Sequence, residues 1–220
     1  MSPVPLNGIL FDFDGTLAPN LDLRTMRAEV VALTAQTPVP EQVYEGLYIV
    51  EIIDASRAWL ANADPRRAAV YEDSAHQLIT DFEIQAAQST EPFAGVPELL
   101  AQLRDNKFRL GVVTRNCRAA VLEVFPDLLN YVDALHARDD VEHLKPDTRH
   151  LSASLQALNT QPDKSAMVGD GALDMHAGRA LNMFCIGVLT GSNDAQALTA
   201  AGADQVLDHC LAITDHVVNA

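Results

Sequence analysis

An α/β fold with a parallel sheet is predicted by short apolar runs that alternate with segments of helical spacing. Five runs have the length and the apolar content of buried strands: Gly8–Phe13, Phe108–Thr114, Ala166–Gly169, Phe184–Leu189 and Gln205–Leu207. Four segments between or after them have the spacing of amphipathic helices: Val96–Arg104, Arg149–Leu158, Ala172–Leu181 and Ala195–Ala201. Strands that alternate with helices in this way build a parallel sheet with helices on both faces.

The stretch from Ala18 to Glu91 departs from this alternation, because it contains no convincing strand. Three helices are predicted within it, and prolines between them block helix continuation: about Leu21–Thr34, Glu41–Asn62 and Arg66–Ala87. We therefore expect a core domain made of residues 1–17 and 92–220 and an inserted all-helical domain at residues 18–91.

The charge of the chain argues against polyanionic partners. Its 30 acidic and 15 basic residues give a formal net charge of −15, and no run of Lys and Arg reverses this locally. We expect binding neither to nucleic acid nor to a membrane surface. An acidic enzyme that acts on anionic substrates would need a cation in its site to invert the local potential, so a divalent metal is expected.

Cysteine usage and the first residues predict a cytoplasmic protein. Cys117, Cys185 and Cys210 are odd in number and follow no close-spaced metal pattern, so reduced, buried thiols are expected. The first residues lack the basic and apolar regions of a signal peptide, and no apolar run reaches the ~18 residues of a membrane span. Monomer and homodimer both remain open.

Polar residues that follow the predicted strands are the candidates for chemistry, because ligands of open α/β sheets bind outside the carboxyl ends of the strands. The candidates are Asp12 and Asp14 after the first strand, Thr114, Arg115 and Asn116 after the second, Lys145 in a later loop, and Asp170 and Asp174 after the next strand.

Asp12 and Asp14 are two positions apart at a strand end, so both can face one ligand. Two carboxylates about 4 Å apart repel by about 4 kcal/mol at an effective dielectric constant near 20, and Asp170 would add a third charge. A cation explains such a cluster, and all-oxygen ligands favour Mg²⁺ over zinc, which usually recruits His or Cys.

The sequence Asp12-Phe13-Asp14-Gly15-Thr16, followed in order by Thr114, Lys145 and Gly169-Asp170 with Asp174, resembles the four motifs of the haloacid dehalogenase superfamily. The resemblance spans most of the core and implies a Rossmann-like sheet. The helical insertion directly after the first motif is similar to the α-helical cap of members such as phosphoglycolate phosphatases. The resemblance thus implies a Mg²⁺-dependent phosphatase that acts on a small phosphorylated metabolite.

The resemblance also implies a role for each residue. Asp12 would be the nucleophile that forms a phosphoaspartate, and Asp14 would be the general acid and base. Thr114 would bind a phosphoryl oxygen, and Lys145 would offset negative charge. Metal ligands would be the Asp12 carboxylate, the Asp14 main-chain carbonyl and Asp170, with Asp174 in support.

Other interpretations remain open at this point. A sugar-phosphate mutase would use the same four motifs, and a member without turnover could serve as a binding or regulatory protein. Arg115 could contact a carboxylate or phosphate of the substrate, with Asn116 beside it, or could form a surface salt bridge. The histidines His136, His143 and His150 are irregularly spaced and are expected on loops or helix surfaces, in structural roles.

Overall fold

The computed structural model describes residues 6–217, except for the side chain of Asp215. Within these residues the chain forms six strands: β1 (Gly8–Phe11), β2 (Arg109–Val113), β3 (Ala134–His136), β4 (Ser165–Gly169), β5 (Phe184–Val188) and β6 (Gln205–Leu207). They form one sheet in the order β3-β2-β1-β4-β5-β6, and every neighbouring pair is parallel. The predicted fold class, an α/β fold with a parallel sheet and helices on both faces, is confirmed.

The helices are α1 (Leu23–Thr34), α2 (Ile49–Ala61), α3 (Pro65–Ala87), α4 (Val96–Asp105), α5 (Arg118–Val124), α6 (Leu128–Tyr131), α7 (Thr148–Leu158), α8 (Ala172–Ala180), α9 (Ala195–Ala201) and α10 (Thr214–Val217). Among the described residues, no helix is both long and apolar enough to cross a membrane.

The central strands are buried on both faces, as expected for a parallel sheet that is covered by helices on each side. All residues of β1 and β4 are buried. On one face, Leu10 and Met167 pack with Leu151, Leu155 and Leu158, which form the apolar stripe of α7. A buried apolar side chain contributes about 1.5–3 kcal/mol to stability, so this layer fixes α7 firmly against the sheet.

The strand order places a topological switch point beside β1. After β1 the core continues to β2 and β3 on one side, and it then crosses to β4 on the other side. The carboxyl ends of β1 and β4 lie side by side, because the N–H of Asp12 donates to the carbonyl of Val168 at 2.8 Å. Crevices at such switch points are where ligands bind in open α/β sheets.

Leu21–Ala86 form a separate compact unit, and the described residues on either side form the other. Within the inserted unit, α1, α2 and α3 enclose an apolar cluster that includes Val30, Ile52, Ile53 and Ile79. Asp64 marks the start of α3, because its carboxylate accepts hydrogen bonds from the N–H groups of both Arg66 and Arg67 at 3.0 Å.

One prediction about secondary structure is wrong, and one strand was not predicted. The continuous helix expected over Glu41–Asn62 is a 3₁₀ turn at Glu41–Val43 followed by α2, and Gly46 between them has a φ of +73° that no right-handed helix accepts. The strand β3 was not predicted, since Ala134–His136 contains none of the Val, Ile, Thr, Tyr, Phe or Trp residues that favour strands. It lies at the sheet edge next to β2.

Candidate active site

Four loops bring the predicted residues to one edge of the sheet. Asp12 and Asp14 follow β1, Thr114 follows β2, Asp170 follows β4, and Lys145 precedes α7. Since β2, β1 and β4 are adjacent parallel strands, their carboxyl ends open at the same edge. Side chains that are more than 100 residues apart in sequence therefore meet.

Lys145 lies at the centre of this group and is only 1% exposed. Its Nζ contacts Asp12 Oδ1 at 2.8 Å and Asp174 Oδ1 at 2.6 Å, and it donates to the carbonyl of Val113 at 2.7 Å. Burial lowers the pKa of Lys145, but the two carboxylates outweigh burial and the pKa is raised overall. The lysine is therefore a fixed positive charge with all three donors used.

Three carboxylates share this small volume. One oxygen from each of Asp12, Asp170 and Asp174 lies within 4.8 Å of the others. Burial, followed by the charge of Asp12, raises the pKa of Asp170 to about 6 and that of Asp174 to about 7. A single lysine does not neutralise three acids, so the cluster retains excess negative charge at neutral pH.

Glycines permit the backbone to approach these acids closely. A Cβ at Gly191 would lie 1.8 Å from Asp170 Oδ2, and one at Gly15 would lie 2.6 Å from Asp170 Cγ. At the end of β4, a Cβ at Gly169 would lie 2.4 Å from Asp174 Oδ2. Gly15 also has a φ of +78°, which suits the turn that follows Asp14.

Asp170 is held by the chain around Ser192 and by the segment that follows β1. Its Oδ2 accepts the N–H of Ser192 at 2.8 Å and lies 3.5 Å from Asn20 Nδ2. Its main-chain carbonyl accepts the side-chain amide of Asn193 at 3.1 Å. These bonds fix one oxygen of Asp170.

Asp14 is oriented by the residues that follow β2. Asn116 Nδ2 lies 3.2 Å from Asp14 Oδ1 and 3.1 Å from Oδ2, and Thr114 Oγ1 lies 3.5 Å from Oδ2. The Asn116 amide is itself fixed, because its Oδ1 accepts the N–H of Cys117 at 2.8 Å. Asn116 was predicted beside the substrate, and the structure adds a contact with Asp14 that the sequence pattern could not reveal.

Arg115 is half-buried and its Nη1 donates to the carbonyl of Lys145. The carbonyl of Arg115 in turn accepts from Arg138 Nη1 at 3.0 Å. Arg115 thus ties the loop after β2 to the loop that carries Lys145, a contact within the core that sequence reasoning did not anticipate.

The expectation that the three histidines lie on loops or helix surfaces is wrong for two of them, because His136 is the last residue of β3 and His150 is completely buried on α7. Its Nδ1 accepts the N–H of Lys145 at 3.1 Å, and its Nε2 lies 3.1 Å from the carbonyl of His136. Burial, together with the nearby charge of Lys145, lowers the pKa of His150 to about 3. No spacing signal in the sequence distinguishes this histidine from a surface residue of an amphipathic helix.

Comparisons with known proteins agree with this architecture. The family model of the haloacid dehalogenase-like hydrolases matches residues 9–188, which is most of the chain. A phosphoglycolate phosphatase of Synechococcus elongatus is 28% identical over 207 residues, covering 92% of this chain and 93% of that protein. The pyrophosphatase PpaX of Bacillus cereus is 28% identical over 181 residues, with 79% of each chain covered.

Similarity of fold extends to solved structures. The crystal structure of a hydrolase from Pseudomonas syringae superimposes with a TM-score of 0.72 at 20% identity, covering 97% of this chain and 98% of the other. The family model spans β1 to β5 and so includes every strand that carries a candidate residue. The chain therefore belongs to the haloacid dehalogenase-like hydrolase family.

Proposed function

We propose that the protein is a Mg²⁺-dependent phosphatase that hydrolyses small phosphate monoesters through a phosphoaspartate on Asp12. The observation that carries this proposal is the buried Lys145, which contacts Asp12 at 2.8 Å and Asp174 at 2.6 Å beside the third acid, Asp170. A lysine held against a carboxylate at the end of a strand can offset the charge of a phosphorylated carboxylate in the same position.

The donor set fits a magnesium ion. Asp12, Asp170 and Asp174 offer carboxylate oxygens within 4.8 Å of one another, and the group carries net negative charge beside Lys145. Hard oxygen ligands of this kind suit Mg²⁺, which keeps some waters and often binds substrate phosphates. Asp12, Asp170 and the Asp14 carbonyl would hold the ion, with Asp174 in support. When bound, Mg²⁺ would neutralise phosphoryl oxygens.

In the first step, one Asp12 oxygen attacks phosphorus while the bond from phosphorus to the ester oxygen breaks. A new bond from Asp12 to phosphorus forms, and the electron pair of the broken bond stays on the leaving alkoxide. Asp14 gives its proton to this alkoxide. The contacts of Asn116 Nδ2 with both Asp14 oxygens support this assignment, since a general acid must be held in position.

In the second step, water attacks the phosphorus of the phosphoaspartate. Asp14 removes a proton from the water, the bond between Asp12 and phosphorus breaks, and inorganic phosphate leaves. Thr114 would bind a phosphoryl oxygen from the end of β2, and Lys145 would offset the charge on the Asp12 adduct. The two steps together consume one phosphate ester and one water, and Asp12 and Asp14 return to their starting states.

For substrate selection, we propose that the inserted unit Leu21–Ala86 acts as the cap that discriminates among phosphate esters. Phosphoglycolate is a candidate because a relative of that name aligns along most of this chain, and a pyrophosphatase relative makes pyrophosphate a second candidate. Arg115 would contribute the positive charge that an acidic substrate needs near the site.

A panel assay tests the proposal. Phosphoglycolate, sugar phosphates, nucleoside monophosphates, pyrophosphate and an aryl phosphate are incubated with the enzyme in Mg²⁺, in excess EDTA and in Ca²⁺. We expect phosphate release only with Mg²⁺ and inhibition by Ca²⁺, whose larger and looser coordination shell disturbs in-line attack. Undiminished phosphate release in EDTA would overturn the metal assignment. Isomerised sugar phosphate without phosphate release would indicate a mutase, and no turnover at all would indicate a binding protein.

A further inference from the structure

We infer that His150 is a positioning residue for Lys145, and this inference rests on the proposed function of Lys145 in phosphoryl transfer. His150 does not contact the acid cluster through any hydrogen bond in the described chain. It acts on the site through the main chain of Lys145, and its other ring nitrogen contacts the carbonyl of His136 on the edge strand β3.

The hydrogen bonds of His150 define its protonation state. A backbone N–H can only donate, so the Lys145 amide 3.1 Å away requires an unprotonated Nδ1. The carbonyl of His136 can only accept, so Nε2 carries the proton and donates to it at 3.1 Å. The ring is therefore neutral with its proton on Nε2, and both nitrogens are used.

The same contacts join the two loops that carry Thr114 and Lys145. The carbonyl of His136 accepts the N–H of Thr114 at 3.1 Å in addition to the bond from His150. A continuous path thus runs from the Thr114 main chain through His136 and the imidazole to the Lys145 main chain. On the other side of Lys145, its carbonyl accepts from Arg115.

Rigid positioning matters at Lys145 because its Nζ is 2.6 to 2.8 Å from three separate acceptors. A shift of the Lys145 main chain would move the ammonium away from the Asp12 oxygen on which the phosphoryl group would reside. Small displacements of a charge that stabilises a transition state reduce kcat, whereas initial binding of the substrate depends less on them.

Two substitutions separate the two hydrogen bonds of His150. In His150→Asn, the amide oxygen occupies the position of Nδ1, so the bond from Lys145 is kept and the bond to His136 is lost. In His150→Gln, the amide nitrogen reaches the position of Nε2, so the opposite bond is kept. The control is Ser154→Ala, because Ser154 is also buried on α7 and bonds His136 Nδ1 at 2.7 Å, and no hydrogen bond joins it to Lys145 among the described residues.

Steady-state kinetics with an aryl phosphate and saturating Mg²⁺, together with thermal melts, test the inference. His150→Gln should lower kcat by about tenfold or more and change KM little, as for other supporting hydrogen bonds of active sites. His150→Asn should retain kcat within about threefold, and Ser154→Ala should lower Tm without changing kcat. Equal kcat losses in both His150 variants, or losses that follow Tm across all three, would overturn the inference.

A measurement on the unsubstituted protein covers the case in which the variants do not fold. Long-range ¹H–¹⁵N correlation spectra should show His150 as the neutral Nε2–H tautomer at neutral pH, in the apo and Mg²⁺ forms. A protonated Nδ1 would overturn the inference, because it could not accept from Lys145. Failure of the proposed function can be told apart from failure of this inference, because the unsubstituted protein would then hydrolyse no phosphate ester.

Discussion

Substitution of Asp12 by asparagine changes one charge of the acid cluster with little change of shape, and its effect on stability can be worked out from the site. The oxygens of Asp12, Asp170 and Asp174 lie within 4.8 Å of one another. At an effective dielectric constant near 20, removal of the Asp12 charge relieves two repulsions of at least about 3 kcal/mol each and loses one attraction to Lys145 of about 6 kcal/mol. These effects nearly cancel.

The asparagine side chain would also be less costly to bury than a carboxylate, and its amide oxygen can still accept from Lys145. We therefore expect the Asp12→Asn protein in EDTA at pH 8 to be as stable as the parent or up to about 2 kcal/mol more stable. Turnover should be abolished, because an amide is not a competent nucleophile for phosphorus.

The order of stabilities should depend on pH. Asp170 and Asp174 have raised pKa values of about 6 and about 7 in the folded protein, so the parent loses stability as pH rises from their unfolded values through this range. The charge of Asp12 contributes to both raised pKa values. The Asp12→Asn protein should therefore lose less stability than the parent as pH rises. At pH 5 most of the repulsion is absent and the variant keeps only the weaker contact with Lys145, so it should be less stable than the parent.

Denaturant unfolding of both proteins in EDTA at pH 5 and pH 8, beside a steady-state assay, measures these quantities. Mg²⁺ should favour the parent, which gains about 2.7 kcal/mol at a hundredfold excess over Kd, whereas the variant has lost a charged ligand. Asp204→Asn is a matched control, because Asp204 pairs with Arg179 outside the cluster and its loss should destabilise at both pH values. Strong destabilisation of the Asp12→Asn protein at pH 8 would contradict the expected relief of repulsion. Near-parental turnover would contradict the role of Asp12 as nucleophile, once mass spectrometry shows that the introduced asparagine has not deamidated to aspartate.

Two further substitutions probe the supports of the site. Asn116→Ala removes the amide that contacts both Asp14 oxygens, so kcat should fall about tenfold with KM nearly constant, and an unchanged kcat in steady-state assays would contradict the general-acid assignment. Gly191→Ala places a Cβ too close to Asp170 Oδ2, so this carboxylate must move and the Mg²⁺ concentration for half-maximal activity should rise by about tenfold or more. Metal titration by activity and by calorimetry would measure this shift, and an unchanged affinity would show that Asp170 does not bind the ion.

The parts of the fold that the sequence predicts are those that local patterns encode. The strands β1 and β4 are continuous apolar runs, and the prolines and Asp64 mark the boundaries of the inserted helices. The edge strand β3 contains none of the β-branched or large aromatic residues that favour strands, and it forms because the backbone groups of β2 are available for it to pair with. The main chain of Asp133 illustrates this, since its N–H donates to the carbonyl of Leu110 at 2.7 Å.

The site divides in the same way between residues with a local signal and residues without one. Asp12 and Asp14 are recognisable because two acids follow an apolar strand and precede a glycine. His150 has no such signal, since its partners are the main chain of Lys145, five residues away, and the carbonyl of His136 on the unpredicted strand. A side chain that bonds main-chain atoms can do so whatever residue types its partners are. The partner residues therefore carry no sequence signal of the contact. Sequence patterns therefore identify the residues that would touch phosphate, whereas the residues that hold them in place must be identified from tertiary contacts.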